Sequence, residues 1–255
     1  AVRRGADLRY DLHIDLMDAA KGKEVEIEVS RHETCSDCSG IGTKGGTQPS
    51  VCTTCGGRGQ VTRSQGFFSI STTCPTCQGS GTIITNPCEK CKGTGRFLVT
   101  KKLSIRVPPG VETGSRLRLQ GEGDPGDPGA PPGDLYVFIH VKEHEFFRRH
   151  GDDIVVEVPI TYTVAALGGQ ITIPTLEGSE PFQVPRGTQS GQQFRIPNKG
   201  IPHLRGRGRG DLIPILYIQT PTKLSKEEEN LLRRLAEIEG SKVSAKKKGF
   251  FLRNS

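Results

Sequence analysis

Two stretches of the 255-residue chain decide its fold: Val107-Pro-Pro-Gly-Val-Glu-Thr-Gly-Ser-Arg-Leu-Arg-Leu119 and Val184-Pro-Arg-Gly-Thr-Gln-Ser-Gly-Gln-Gln-Phe-Arg-Ile196. At a constant offset of 77 they match at Val107/Val184, Pro108/Pro185, Gly110/Gly187, Gly114/Gly191 and Arg118/Arg195. The matches run on through Gly123/Gly200, Gly133/Gly210, Asp134/Asp211 and Leu135/Leu212. One offset held over such a stretch means two copies of one module. Upstream the offset is 146: Leu12-His-Ile14 matches Val158-Pro-Ile160, Ala19-Ala20-Lys-Gly22 matches Ala165-Ala166-Leu-Gly168, and Val25-Glu-Ile27 matches Ile171-Thr-Ile173. The difference of 69 residues is an insertion in the first copy, between Val29 and Val107.

Both copies read as β. Glu24-Val-Glu-Ile-Glu-Val29 and Leu103-Ser-Ile-Arg-Val107 alternate polar and apolar residues, and Asp153–Val158 and Gln170–Ile173 are further strands. Asp124-Pro-Gly-Asp-Pro-Gly-Ala-Pro-Pro-Gly133 reads as a loop. After Pro221 one helix is expected. Ser225 and Glu228 have capping-box spacing, Gly240 can end the helix, and Leu224, Leu231, Leu232, Leu235 and Ile238 form an apolar stripe. So short a helix must dock on something, either a second copy of the chain or its own module.

The insertion contains all eight cysteines, as Cys35/Cys38, Cys52/Cys55, Cys74/Cys77 and Cys88/Cys91. Each pair continues into the same C-x-x-C-x-G-x-G pattern, with glycines at 40 and 42, 57 and 59, 79 and 81, and 93 and 95. Two thiolates three residues apart can share a metal only if the chain curls tightly. The glycines allow that and let N–H groups turn back to the sulfurs. Two pairs complete one tetrahedral site, so two closed zinc sites are expected, neither catalytic. The ends of the insertion must meet in one module, which favours a nested arrangement: Cys35, Cys38, Cys88 and Cys91 on one zinc, and Cys52, Cys55, Cys74 and Cys77 on the other. Sequential pairing fits the spacing as well.

Composition narrows the function. Bulky apolar residues are scarce and glycine is abundant: Trp is absent, there is one Met, and there are 33 Gly. Small turn-rich β modules suit this better than one large core. The net charge of +7 suggests a nucleic-acid partner, but five of the basic groups lie in residues 241–255, which contain no acid. Each zinc site of four thiolates also adds negative charge, so nucleic acid is not the expected partner. No run of apolar residues is long enough for a membrane helix, no leader is evident, and the start at Ala1 is read as the loss of an upstream part. A reducing, cytoplasmic setting suits metal-bound rather than disulfide-bonded cysteines.

Four C-x-x-C-x-G-x-G motifs inserted into the first of two related β modules, followed by a short helix, resemble the zinc-containing type of the DnaJ/Hsp40 co-chaperone family. Gly66-Phe67-Phe68, Val107-Pro-Pro-Gly110, Gly133-Asp134-Leu135 and Gly151-Asp152-Asp153 add to the likeness. The resemblance implies no enzyme but a chaperone that binds exposed apolar segments of unfolded proteins, limits their aggregation and hands them to an Hsp70. It implies an apolar client groove in the first module, for which Leu8, Ile27, Val29 and Phe147 are the candidates, and a homodimer joined through the terminal helix. It also places the second and third cysteine motifs toward Hsp70. The family's J domain carries His-Pro-Asp, and none of the six histidines here is followed by Pro-Asp. Stimulation of Hsp70 by that route is therefore not expected. A bacterial cytosol is the expected location, with an organelle matrix as the alternative.

The expected fold is mainly β, with two tandem sandwich-like modules, a cysteine-rich insertion and a terminal helix. The expected divisions are 1–33 plus 97–145 for the first module, 34–96 for the insertion, 146–222 for the second module, 223–240 for the helix and 241–255 for a disordered basic tail. A nucleic-acid-binding zinc protein would need a basic face with stacking aromatics. A thiol–disulfide oxidoreductase would need accessible dithiols. Neither matches the residues as well.

Overall fold

The computed structural model describes residues 2–65 and 68–244. Gly66, Phe67 and most of the basic tail lie outside the described residues. The chain is mainly β, in the order β1 (Leu8–Ile14), α1 (Leu16–Lys21), β2 (Lys23–Thr34), β3 (Ser50–Val51), β4 (Gln60–Gln65), β5 (Phe68–Thr73), β6 (Thr82–Ile83), β7 (Arg96–Val107), β8 (Arg116–Leu119), β9 (Leu135–Val141), β10 (Phe147–His150), β11 (Asp153–Ile160), α2 (Tyr162–Leu167), β12 (Gly169–Thr175), β13 (Gly178–Val184), β14 (Gln192–Gln193), β15 (Leu212–Ile218) and α3 (Lys226–Glu239). No described helix is long and apolar enough to cross a membrane.

The described residues form two compact units, one running to Val155 and including Ile196–Leu212, the other formed by Val156–Arg195 and the described residues from Ile213 onward. In the first unit, β9 lies between β1 and β8, parallel to β1 (Leu8 beside Leu135, Ile14 beside Val141) and antiparallel to β8. A second sheet is the antiparallel pair β2–β7, which runs without a break from Lys23 beside Val107 to Thr34 beside Arg96. The inward residues of the two sheets, Leu12, Ile14, Ile27, Val29, Ile105, Val107, Leu135, Val137 and Ile139, form the core together with Val111 from the loop after β7. The alternation over Glu24–Val29 and Leu103–Val107 serves this arrangement, since a strand sends every second side chain to the same face.

The repeat in the sequence is a repeat of hydrogen bonds. Leu8 N–H donates to the Asp134 carbonyl at 2.8 Å and Ile154 N–H to that of Asp211 at 2.9 Å. Asp134 N–H donates to the Asp7 carboxylate at 2.7 Å, and Asp211 N–H to that of Asp153 at 2.7 Å. Gly133 and Gly210 sit where a Cβ would lie 2.1 Å from a backbone oxygen, of Ala6 and Asp152 respectively. This close approach is what the Gly-Asp pair in each copy serves.

In the second unit, β15 lies between β11 and β14, and β12 pairs antiparallel with β13 from Gly169 beside Val184 to Thr175 beside Gly178. The terminal helix α3 begins as its sequence indicates. Ser225 Oγ accepts from Glu228 N–H at 3.2 Å, and the Glu228 carboxylate accepts from Ser225 N–H at 2.7 Å. Gly240 closes it in the left-handed conformation. The six-residue helices α1 and α2 follow the first strand of each copy and end at Gly22 and Gly168. The sequence reading has no helix there, because six residues are too few to show a 3.6-residue period.

Candidate metal centres

The β2–β7 ladder ends at Thr34 and Arg96, and the chain between them folds around two groups of cysteines. Cys35, Cys38, Cys88 and Cys91 form one group and Cys52, Cys55, Cys74 and Cys77 the other, the sulfurs of each lying within 4.8 Å of one another. The grouping is thus nested rather than sequential. All eight side chains are buried and none is in a disulfide.

Backbone hydrogen bonds build each cluster from two copies of one loop. Cys35 N–H donates to the Gly95 carbonyl and Cys88 N–H to that of Gly42. Cys52 pairs in the same way with Gly81, and Cys74 with Gly59. The last glycine of each motif donates its N–H to the second sulfur of its own motif, with Gly42 to Cys38, Gly59 to Cys55, Gly81 to Cys77 and Gly95 to Cys91 all at 3.3 Å. Gly95 shows why the position excludes other residues: its φ is +73° and a Cβ would lie 2.2 Å from the Gly40 oxygen. The sequence reading missed the residue after each second cysteine. Ser39, Gln78 and Lys92 have φ near +50°, as Gly56 has +59°. Three of these four residues carry a Cβ, so composition gave no signal of the left-handed turn.

Facing sulfurs are 3.8 Å apart for Cys35 and Cys88, 3.6 Å for Cys38 and Cys91, 3.9 Å for Cys52 and Cys74, and 3.7 Å for Cys55 and Cys77. A tetrahedron with metal–sulfur bonds of about 2.3 Å has edges of about 3.8 Å, whereas a disulfide needs about 2.05 Å. The donor set therefore fits a closed four-thiolate metal site. Burial pushes the Cys38 thiol up to about 11. Burial also acts to raise Cys91, but the N–H groups of Gly95 and Gly93 and the neighbouring cysteines bring it down to about 7. Loading a metal must therefore displace thiol protons.

Charged contacts brace the root of the insertion. His32 N–H donates to Asp124 Oδ1 at 2.8 Å, and the Glu122 carboxylate accepts from Arg31 and from Lys101. Lys90 reaches Asp37 at 3.1 Å and lies over the Phe97 ring at 5.2 Å. The Pro- and Gly-rich segment from Asp124 thus abuts the first cysteine cluster, with Pro128 Cγ 3.9 Å from the place of a Cβ on Gly40.

The four groove candidates occupy different positions. Ile27 and Val29 lie in the core, and half-buried Leu8 packs against it. Phe147 is buried and lines a cleft with Leu16 and Val141. Of the helix stripe, Leu224, Leu231, Leu232 and Ile238 are exposed and Leu235 is half-buried.

The profile of the DnaJ C terminal domain family matches residues 8–221. The chain belongs to this family. It is similar to proteins named Chaperone protein DnaJ from Sinorhizobium fredii, 48% identical over 251 residues, and from Acetivibrio thermocellus, 47% over 253. The match covers 98% of this chain and 66% of each of these two relatives. That from Caulobacter vibrioides is 48% identical over 258 residues, covering 98% of this chain and 67% of the relative. The chain thus spans about two thirds of the length of the curated relatives it matches.

If each tetrad holds one ion, Cys35→Ser should lower the metal content of the purified chain from two equivalents to one, measured by elemental analysis. Gly95→Ala should weaken that same site and spare the one built on Cys52.

Proposed function

We propose that this chain is the client-holding part of a DnaJ-type co-chaperone, with zinc in both cysteine clusters, and that it works by binding rather than by catalysis. The observation that carries the reading is the open edge of β2. One edge of β2 pairs with β7, and among the described residues no strand pairs with the other. His32 N–H goes to Asp124 and not to β7, so His32 points away from its ladder partner. Backbone groups alternate sides along a strand, so those of Ser30, Glu28, Glu26 and Glu24 face the same open side. The half-buried apolar residues Leu8, on β1, and Val25, on β2, lie against the same core.

An extended segment of an unfolded protein added here would gain backbone hydrogen bonds that do not depend on its sequence, while its apolar side chains met the partly covered core. Ile27 and Val29 then act by fixing the strand, and Leu8 and Val25 by contact. Phe147, in its cleft, is a third client-contact candidate. Zinc suits the clusters because four buried thiolates at tetrahedral spacing form a closed site with no open coordination position. The modules at 1–33 plus 97–145 and at 146–222, the insertion at 34–96 and the helix at 223–240 would divide this work, with an Hsp70 as the receiving partner and the bacterial cytosol as the setting. The exposed face of α3, with Leu231 63% and Ile238 78% accessible, supports a homodimer through this helix. Two weak sites on one molecule would then raise avidity.

Glu26→Pro removes one open-edge donor while leaving the β7 side of the ladder intact. It should reduce suppression of aggregation of a chemically denatured test protein, followed by light scattering, with metal content and melting temperature unchanged. Unaltered suppression would remove the β2 edge from the site. Deleting residues 224–240 should turn a dimer into monomers in multi-angle light scattering. If the mass stays the same, the helix only caps its own module.

A further inference from the structure

The three-stranded sheet β1-β9-β8 has two faces. One packs on the core through Leu12, Ile14, Leu135, Val137 and Ile139. The alternate residues form the other face, and the strand register sets them in rows across the sheet. Tyr136 lies between Arg9 and Arg118, Phe138 between Asp11 and Arg116, and His140 beside His13. Arg9, Asp11, His13, Arg116 and Arg118 are exposed, and Tyr136, Phe138 and His140 are half-buried. Whole-chain charge says nothing of this face, because its residues come together from strands far apart in the sequence.

Planar groups tile it. The Arg9 guanidinium carbon lies 4.3 Å from the centre of the Phe138 ring, and that of Arg116 lies 6.0 Å from the same ring on the side of β8. The rings of His13 and His140 stack with centres 4.9 Å apart and planes 22° from parallel. Three guanidinium groups, of Arg9, Arg116 and Arg118, stand against one exposed carboxylate, Asp11, which Arg9 and His140 hold. Asp134, which Arg118 reaches, is itself buried beneath Arg4 and Arg118. Among the described residues Arg116 has no acidic partner.

We infer that this face binds single-stranded nucleic acid, with bases stacked on Tyr136 and Phe138 and phosphates met by Arg9, Arg116 and Arg118. The ligand that complements a layer of flat aromatic and cationic groups is itself a row of flat groups with one negative charge per link. Tyr136 and Phe138 lie two residues apart on the central strand, about 6.7 Å along it, so two successive unstacked bases meet two rings. Sheets that bind single strands use this arrangement, and because every base has a π-face the binding tolerates many sequences. The site lies on the sheet face away from the core and is independent of the β2 edge.

Fluorescence anisotropy of a fluorescein-labelled oligouridylate of about ten nucleotides, titrated with the full zinc-loaded chain, tests it. The parent should bind, and its affinity should fall with salt. Phe138→Thr should weaken binding about tenfold or more, with metal content, melting temperature and suppression of client aggregation unchanged, and Phe138→Trp should retain it. Arg116→Gln should make the slope of log affinity against log salt shallower by about 0.7. That exposed substitution serves if Phe138→Thr folds poorly. Replacing Lys246, Lys247 and Lys248 by Gln in the same chain should leave the effect of Phe138→Thr in place. A parent that does not bind overturns the inference. So does binding that survives Phe138→Thr and Arg116→Gln but is lost when the three lysines are replaced. A peptide of alternating glutamate and tyrosine that displaces the oligonucleotide at lower concentration also overturns it, since the face would then be a protein-docking surface.

Discussion

Twelve residue pairs, from Lys23 with Val107 to Thr34 with Arg96, are the interaction on which the rest of the first module depends. Their inward side chains supply Ile27, Val29, Ile105 and Val107 to the core. Their far end holds both ends of the cysteine insertion, so the cysteine clusters begin where the ladder stops. The outer edges of both strands, that of β2 among them, are left without a strand partner among the described residues. Core, metal root and open edge are thus three consequences of one antiparallel pairing. A shift by one residue would exchange buried and exposed faces along its whole length.

The insertion is stabilised differently. It has little apolar material: half-buried Phe97 packs on one cluster, and Val61 and Ile83 on the other. Clustered cysteine sulfurs placed to hold a metal, and glycine carbonyls at close approach, stand where a hydrophobic core would be, and in small domains built around four-thiolate sites metal binding is a large part of the folding free energy. The low share of bulky apolar residues in the composition reflects this. The C-x-x-C-x-G-x-G pattern is then the smallest loop that brings two thiolates together, turns its N–H groups onto one of them and fits against a second loop of the same kind.

Much of this was legible in the sequence because it depends on spacing. The offsets of 77 and 146 identified the repeat and located the insertion, and the cysteine pairs indicated four-thiolate sites. Ser225 and Glu228 marked the start of the terminal helix. What stayed hidden depends on partners distant along the chain. Nothing near Asp124 or Glu122 indicates that they brace His32, Arg31 and Lys101. The positive φ of Ser39, Gln78 and Lys92 belongs to residues that rarely adopt it. The open edge of β2 was hidden as well, because alternation predicts which side chains are buried but not which backbone edge goes unpaired. Family resemblance pointed to Ile27 and Val29, which lie in the core, whereas the edge they help fix presents the backbone of Glu24, Glu26, Glu28 and Ser30.

The central claim is that an unfolded segment is held as an added strand on β2. Amide hydrogen exchange of the zinc-loaded chain, with and without a permanently unfolded client, tests it most directly. The account predicts that the client slows exchange at Glu26, Glu28 and Ser30, amides on the open side, while the alternating amides already bonded to β7 change little. Bound client with unchanged exchange at those residues, and new protection elsewhere in the chain, would contradict it.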